Sequence, residues 1–117
     1  MSGSDRALTR LRQACLGLPE VRETTTFGNP TMQAGKKTFA VLDSYQGRRC
    51  IAFKAEPAIQ RRLCETEAYA ESPFGARHGW TLAWVERGMD WKELGALLVH
   101  SYRLVALKRM LKALDGA

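Results

Sequence analysis

No stretch of this chain approaches the roughly 18 consecutive apolar residues that a membrane-spanning helix needs, and the N-terminal MSGSDRALTRLRQ lacks the hydrophobic core of a secretory signal. Both absences point to the cytoplasm and away from a membrane. Cysteine is scarce: Cys15, Cys50 and Cys64 are an odd number, widely spaced, with no Cys-x-x-Cys. They read as structural thiols at apolar positions rather than as a disulfide pair, a metal site or a nucleophile. Histidine is scarcer still. His78 and His100 fall in a loop and a helix, with no Cys-His or Asp-His partner in sequence. Ser101 has no nucleophile-elbow context, and the acids between Glu65 and Glu93 are scattered rather than paired. No catalytic residue, metal ligand set or cofactor is expected, and the chain reads as a protein other than an enzyme. There is no internal repeat, low-complexity tract or linker, and no recognition helix, zinc finger or RNA-binding aromatic signature.

What is present is ordinary in amount and uneven in place. The 117 residues, 45% apolar and 26% charged, suit one globular domain spanning 1–117. The net charge of +6 is polarised. Residues 36–62 hold seven bases against two acids, and residues 99–117 four against one, whereas residues 63–98 hold six acids against three bases. Such a distribution invites a polyanion.

The chain is organised around Thr38–Lys54, TFAVLDSYQGRRCIAFK, which reads as two strands joined at Tyr45-Gln46-Gly47, with Gly47 supplying a positive φ at the end of a three-residue loop. That loop pairs Ser44 with Arg48, Asp43 with Arg49, Val41 with Ile51, and Phe39 with Phe53. The expected inward face is Phe39, Val41, Ile51 and Phe53. Ala40, Leu42, Cys50 and Ala52 take the other face, with Thr38 and Lys54 at its end.

Around this ribbon, Ser4 is the expected cap of a first helix running to about Leu16, with Leu8, Leu11, Cys15 and Leu18 as its apolar stripe. Glu23–Phe27 and Thr31–Ala34 are expected strands, broken by Gly28-Asn29-Pro30 and by Gly35. Pro57 suits the first turn of a second helix whose inward residues are Ile59 and Leu63, with Gln60, Arg61 and Arg62 facing out or sideways. Residues 72–79 are a loop. Trp80–Glu86 is a fifth strand, with Trp80, Leu82 and Trp84 on one face. Asp90, with Glu93 three residues on, opens a long last helix with a bend near Ser101–Leu104. The expected order is α-β-β-β-β-α-β-α.

The ordered set Leu18-Pro19-Glu20, Phe27-Gly28, Gly35-Lys36-Lys37-Thr38-Phe39-Ala40, Phe53-Lys54 with Pro57, Gly79-Trp80, Asp90-Trp91 and Ser101-Tyr102-Arg103-Leu104-Val105 resembles the MmcQ/YjbR family of small bacterial proteins. The resemblance covers about Leu8 to Met110. It implies an α+β fold, a two-layer antiparallel β-sheet with helices packed on it, similar to secretion chaperones. It also implies DNA binding, a label that family members carry because the fold is similar to double-wing modules that offer a sheet to DNA. One departure is local: many members read Lys-x-His-Trp before the last strand, where this chain has Arg77-His78-Gly79-Trp80.

Two binding sites follow as expectations. Lys36 and Lys37 at one hairpin tip and Arg48 and Arg49 at another, supplemented by Lys54, Arg61 and Arg62, would track DNA phosphates in a salt-sensitive way. Tips of successive hairpins lie at opposite ends of a meander, so these charges need not converge. The alternative is a cleft for a peptide or small anion between the last strand and the C-terminal helix, built from Arg77, His78, Trp80, Tyr102 and Arg103. Either way the expected role is that of a binding module; a protein-interaction scaffold without nucleic acid is the further alternative.

Overall fold

In the computed structural model, which describes residues 5–116, the chain runs α1 (Arg6–Cys15), β1 (Val21–Thr26), β2 (Asn29–Ala34), β3 (Lys37–Tyr45), β4 (Arg48–Lys54), α2 (Pro57–Leu63), β5 (Tyr69–Glu71), a 3-10 turn (Ala76–His78), β6 (Trp80–Trp84), α3 (Trp91–Val105) and α4 (Lys108–Gly116). The strands form one antiparallel sheet in the order β1-β2-β3-β4-β6-β5. The helices pack on one of its faces and leave the other without a helical layer. The expected α+β, two-layer architecture is what forms. No helix among the described residues is long and apolar enough to cross a membrane.

Short turns of two residues set the registers. At Phe27-Gly28 and at Gln46-Gly47 both loop residues have positive φ (51° and 81°, 52° and 80°), the geometry of a type I′ turn. Its twist matches that of the strands it joins. The β3–β4 loop is therefore one residue shorter than expected, and the pairing slips: Tyr45 faces Arg48, Leu42 faces Ile51 and Ala40 faces Phe53. Ala40 and Leu42 thus turn toward the helices alongside Ile51 and Phe53, and Val41 turns away beside Ala52.

Phe39 stays inward in spite of the slip. Met32 pairs with Ala40 but Gln33 with Thr38, so Phe39 is the extra residue of a β-bulge. The bulge lets Phe39 and Ala40 both enter the core, where neither exposes any surface. The inward set is thus Phe39, Ala40, Leu42, Ile51 and Phe53, with Val41 corrected to the opposite face.

The β3–β4 ladder ends at Ala40–Phe53, next to the bulge, and α3 completes it. The buried Ser101 hydroxyl donates to Phe39 O and accepts from Lys54 N, both at 2.8 Å. Next to it Tyr102 is fully buried, edge-on to Phe39, and donates its O–H to Pro19 O at 2.8 Å. Leu94, Leu98 and Val105 extend the same stripe into the core, while Leu11 and Cys15 of α1 and Met110 of α4 fill the rest. Burial pushes the Cys15 thiol up to about 12, as suits an inert core thiol.

Three further expectations are revised. The cap of α1 within the described residues is Asp5, which accepts from Leu8 N at 3.1 Å; Ser4 lies outside them. Gln60, expected to face out or sideways, is the buried residue of α2, and its amide donates to Ala76 O, Trp80 O and Thr81 Oγ1. The last helix breaks at Ala106, whose extended backbone (ψ 146°) separates α3 from α4, later than the expected bend. The capping pair holds: Asp90 accepts from Glu93 N at 2.9 Å.

Candidate nucleic-acid interface

The face without helices is assembled by pairing. Directly opposed residues share a side, so Val41, Ala52, Leu82 and Ala70 form one row across the sheet, with Thr38 and Lys54–Trp80 to one side of it and Asp43, Cys50 and Trp84 to the other. On β1 and β2 the same face carries Arg22 and Gln33, then Thr24 and Thr31, then Thr26 and Asn29. The β1–β2 half is therefore mainly hydroxyl and amide, although Thr31 itself is buried. The other half sets Tyr45, Trp80 and Trp84 around an aliphatic row in which Leu82 is buried.

Cations lie over the rings. The Arg48 guanidinium is 4.0 Å from the Trp84 ring centroid, and the Lys54 ammonium is 5.8 Å from that of Trp80. Phe74, which is 89% exposed, reaches in from the 72–79 loop to stand edge-on to Tyr45 at 6.3 Å. The loop is seated on Trp80 through Gly75, where a Cβ would come within 2.6 Å of the indole. Acidic groups are few here. Asp43 is turned to the Asn29 amide at 3.1 Å and to its own neighbour's N–H at 2.7 Å. At the rim Glu86 meets Arg48 at 3.4 Å.

The seven basic residues expected to bind DNA do not form one patch. Arg48 and Lys54 are on the open face, toward opposite ends of β4. Arg49 points to the helical side and is bound by both Asp5 oxygens (2.7 and 3.0 Å), which joins β4 to the start of α1 and holds the Asp5 carboxyl below its usual range. Lys36 and Lys37 sit at the β2–β3 turn, at the other end of the sheet from the Gln46-Gly47 tip. Arg61 and Arg62 are exposed on α2, above the helical face. Arg22 was not among the expected residues. It is the odd cation on a strand of alternating polar residues, and that alternation is the signal that would have placed it.

The alternative cleft does not assemble. Trp80 lies on the open face beside Lys54, whereas Tyr102 is sealed under the opposite face with its hydroxyl satisfied. Arg103 is engaged by both oxygens of Asp115, and Arg77 and His78 are exposed on the 3-10 turn. Gly79, the departure from Lys-x-His-Trp, has φ +90°, and a Cβ there would come within 2.5 Å of Ala55 O. Only glycine fits that approach. A cavity of about 590 Å³ lies elsewhere, between α2, β5 and α3, lined by Ile59, Leu63, Tyr69, Glu93, Leu97 and His100 among others.

The fold has a solved counterpart. A crystal structure of Deinococcus radiodurans protein DR2400, which carries the family-model domain DUF419, is similar with a TM-score of 0.76 at 24% identity, covering 92% of this chain and 86% of that one. No curated protein matches the chain. A family model described as YjbR matches residues 16–104, a span that starts just after α1 and takes in the whole sheet, α2 and nearly all of α3. The chain belongs to the YjbR family.

Proposed function

We propose that this protein is a non-enzymatic binding module that holds DNA against its open sheet face, single strands in preference to duplex. The observation that carries the reading is the pairing of cations with rings on one helix-free surface: Arg48 on Trp84, Lys54 on Trp80, Arg22 beyond them, with Tyr45 and Phe74 alongside. Rings accept unstacked bases whatever their identity, and neighbouring cations hold the phosphates between them. This is the combination by which single-stranded nucleic acid is bound without sequence readout. A duplex keeps its bases stacked and would use only the charges.

Fluorescence anisotropy with a labelled single strand and with the matching duplex, each at about 50 and about 200 mM salt, tests the reading. Affinity for the single strand should exceed that for the duplex and fall steeply with salt, because each neutralised phosphate releases counterions. Arg22→Glu and Lys54→Glu should each weaken binding across sequences and flatten the salt slope by about one. Absence of binding at the lower salt, or undiminished binding by a variant that combines Arg22→Glu and Lys54→Glu, rejects it.

A further inference from the structure

Lys36 and Lys37, left off the open face, stand over a cavity of their own. The β2–β3 turn and the break between α3 and α4 enclose about 300 Å³, lined by Ala34, Gly35, Val105 and Leu107, with Lys36, Lys37 and Arg109 around it. The break is what opens it: the extended backbone at Ala106 places Leu107 at the cavity with 47% of its surface exposed. Beneath, the Met110 methyl presses against the turn, 3.1 Å from where a Cβ on Gly35 would be. Arg109 is anchored to Glu20 through two 2.8 Å bonds, and the Glu20 main-chain oxygen in turn accepts from Gly35 N. Lys36 and Lys37 have no ion-pair partner among the described residues.

An apolar pocket with unpaired charge of one sign at its mouth selects for a ligand of matching halves. A hydrocarbon chain gains by leaving water for Val105, Leu107 and Ala34. An anionic head gains charge-assisted hydrogen bonds from two lysines that otherwise face solvent. The volume is at the small end of the roughly 300–1,000 Å³ that ligand pockets take, so the chain must be short. We infer that this pocket binds a small amphipathic anion, a carboxylate or phosphate carried on a short hydrocarbon chain. The site is separate from the open sheet face and stands or falls independently of DNA binding.

The test is a titration of the ¹⁵N-labelled full chain with octanoate and with octyl phosphate, alongside octanamide, acetate and inorganic phosphate. Saturable shifts centred on Ala34, Gly35, Val105 and Leu107 are expected with the first two. The tighter of them identifies the head group. Octanamide, which lacks the charge, and acetate and phosphate, which lack the chain, should bind at least about tenfold more weakly. The K36E/K37E double variant should lose about tenfold or more, and Leu107→Asp should abolish octanoate binding while keeping a dispersed spectrum. Lack of saturable shifts, shifts centred elsewhere, or undiminished octanoate binding by a folded K36E/K37E variant would overturn the assignment.

Discussion

The Ser101 hydroxyl sits where the β3–β4 ladder stops, taking the place of a backbone partner for both Phe39 O and Lys54 N. Ser101→Ala leaves those two groups without that hydroxyl in a site that water does not reach. We expect a loss of about 2–3 kcal/mol in urea unfolding; a loss below about 0.5 would mean that the end of the β3–β4 ladder is satisfied without it. The core makes a second residue-scale prediction. Phe39→Ala and Ile51→Ala should each cost about 2–5 kcal/mol, whereas Val41→Ala, on the face without helices, should cost about 1 or less. Equal costs at Ile51 and Val41 would contradict the observed pairing. In the sequence, Ser101-Tyr102 stood out as a motif, but its role did not. Tyr102 beside Arg103 reads as part of a ligand cleft and Ser101 as a motif residue with no assigned role, and only the end of the β3–β4 ladder and the Pro19 carbonyl reveal why both are buried.

At the scale of elements, strand and helix order was legible because each break has its own chemistry: Gly28, Gly35, Gly47, Pro57 and Asp90 all lie at boundaries. Register was not. Phe39-Ala40-Val41-Leu42 is apolar at every position, so alternation could not say which side faces the core, and one loop residue decided it. The cost of that loop is visible at Gln46, a non-glycine residue at φ +52°. Gln46→Asn should raise stability by roughly 0.5–1 kcal/mol, since asparagine tolerates the left-handed region better and Asn-Gly is the favoured type I′ pair. Destabilisation in a thermal melt would argue for a longer loop. Strand β5 was missed for a related reason. Three residues are too few to show a period, and Tyr69-Ala70-Glu71 becomes a strand only because β6 offers it an edge.

For the molecule as a whole, the charge surplus is divided by the sheet rather than gathered by it. Asp5, Glu20, Glu23 and Asp115 are each bound by an arginine, first through side-chain hydrogen bonds and then by charge, and each carboxyl is held below its ordinary value. A carboxyl depressed in the folded state adds stability that is fully present above the unfolded value, about 4, and is lost as pH falls through the lower folded value. The urea midpoint should therefore be insensitive to these groups between pH 7 and 5 and decline below about 4. A rise on acidification would contradict the pairs. These pairs are largely exposed, so each contributes little by itself. Their larger effect is on where free charge remains: with Arg12, Arg49, Arg103 and Arg109 engaged and Arg48 shared with Glu86, Arg22 and Lys54 on the open face and the Lys36-Lys37 end keep theirs among the described residues. Charge totals along the sequence predicted a basic protein, but partners such as Arg49 and Asp5, far apart in the chain, could not be matched without the fold.

The most direct measurement is a residue-resolved footprint, an ¹⁵N correlation spectrum of the full chain titrated with a single strand of about ten nucleotides. The account predicts shifts that cluster at Arg22, Val41, Ala52, Lys54 and the Trp80 and Trp84 indoles, with α1 and α4 unmoved. Shifts confined to the helical side, or none at all at low salt, would contradict it.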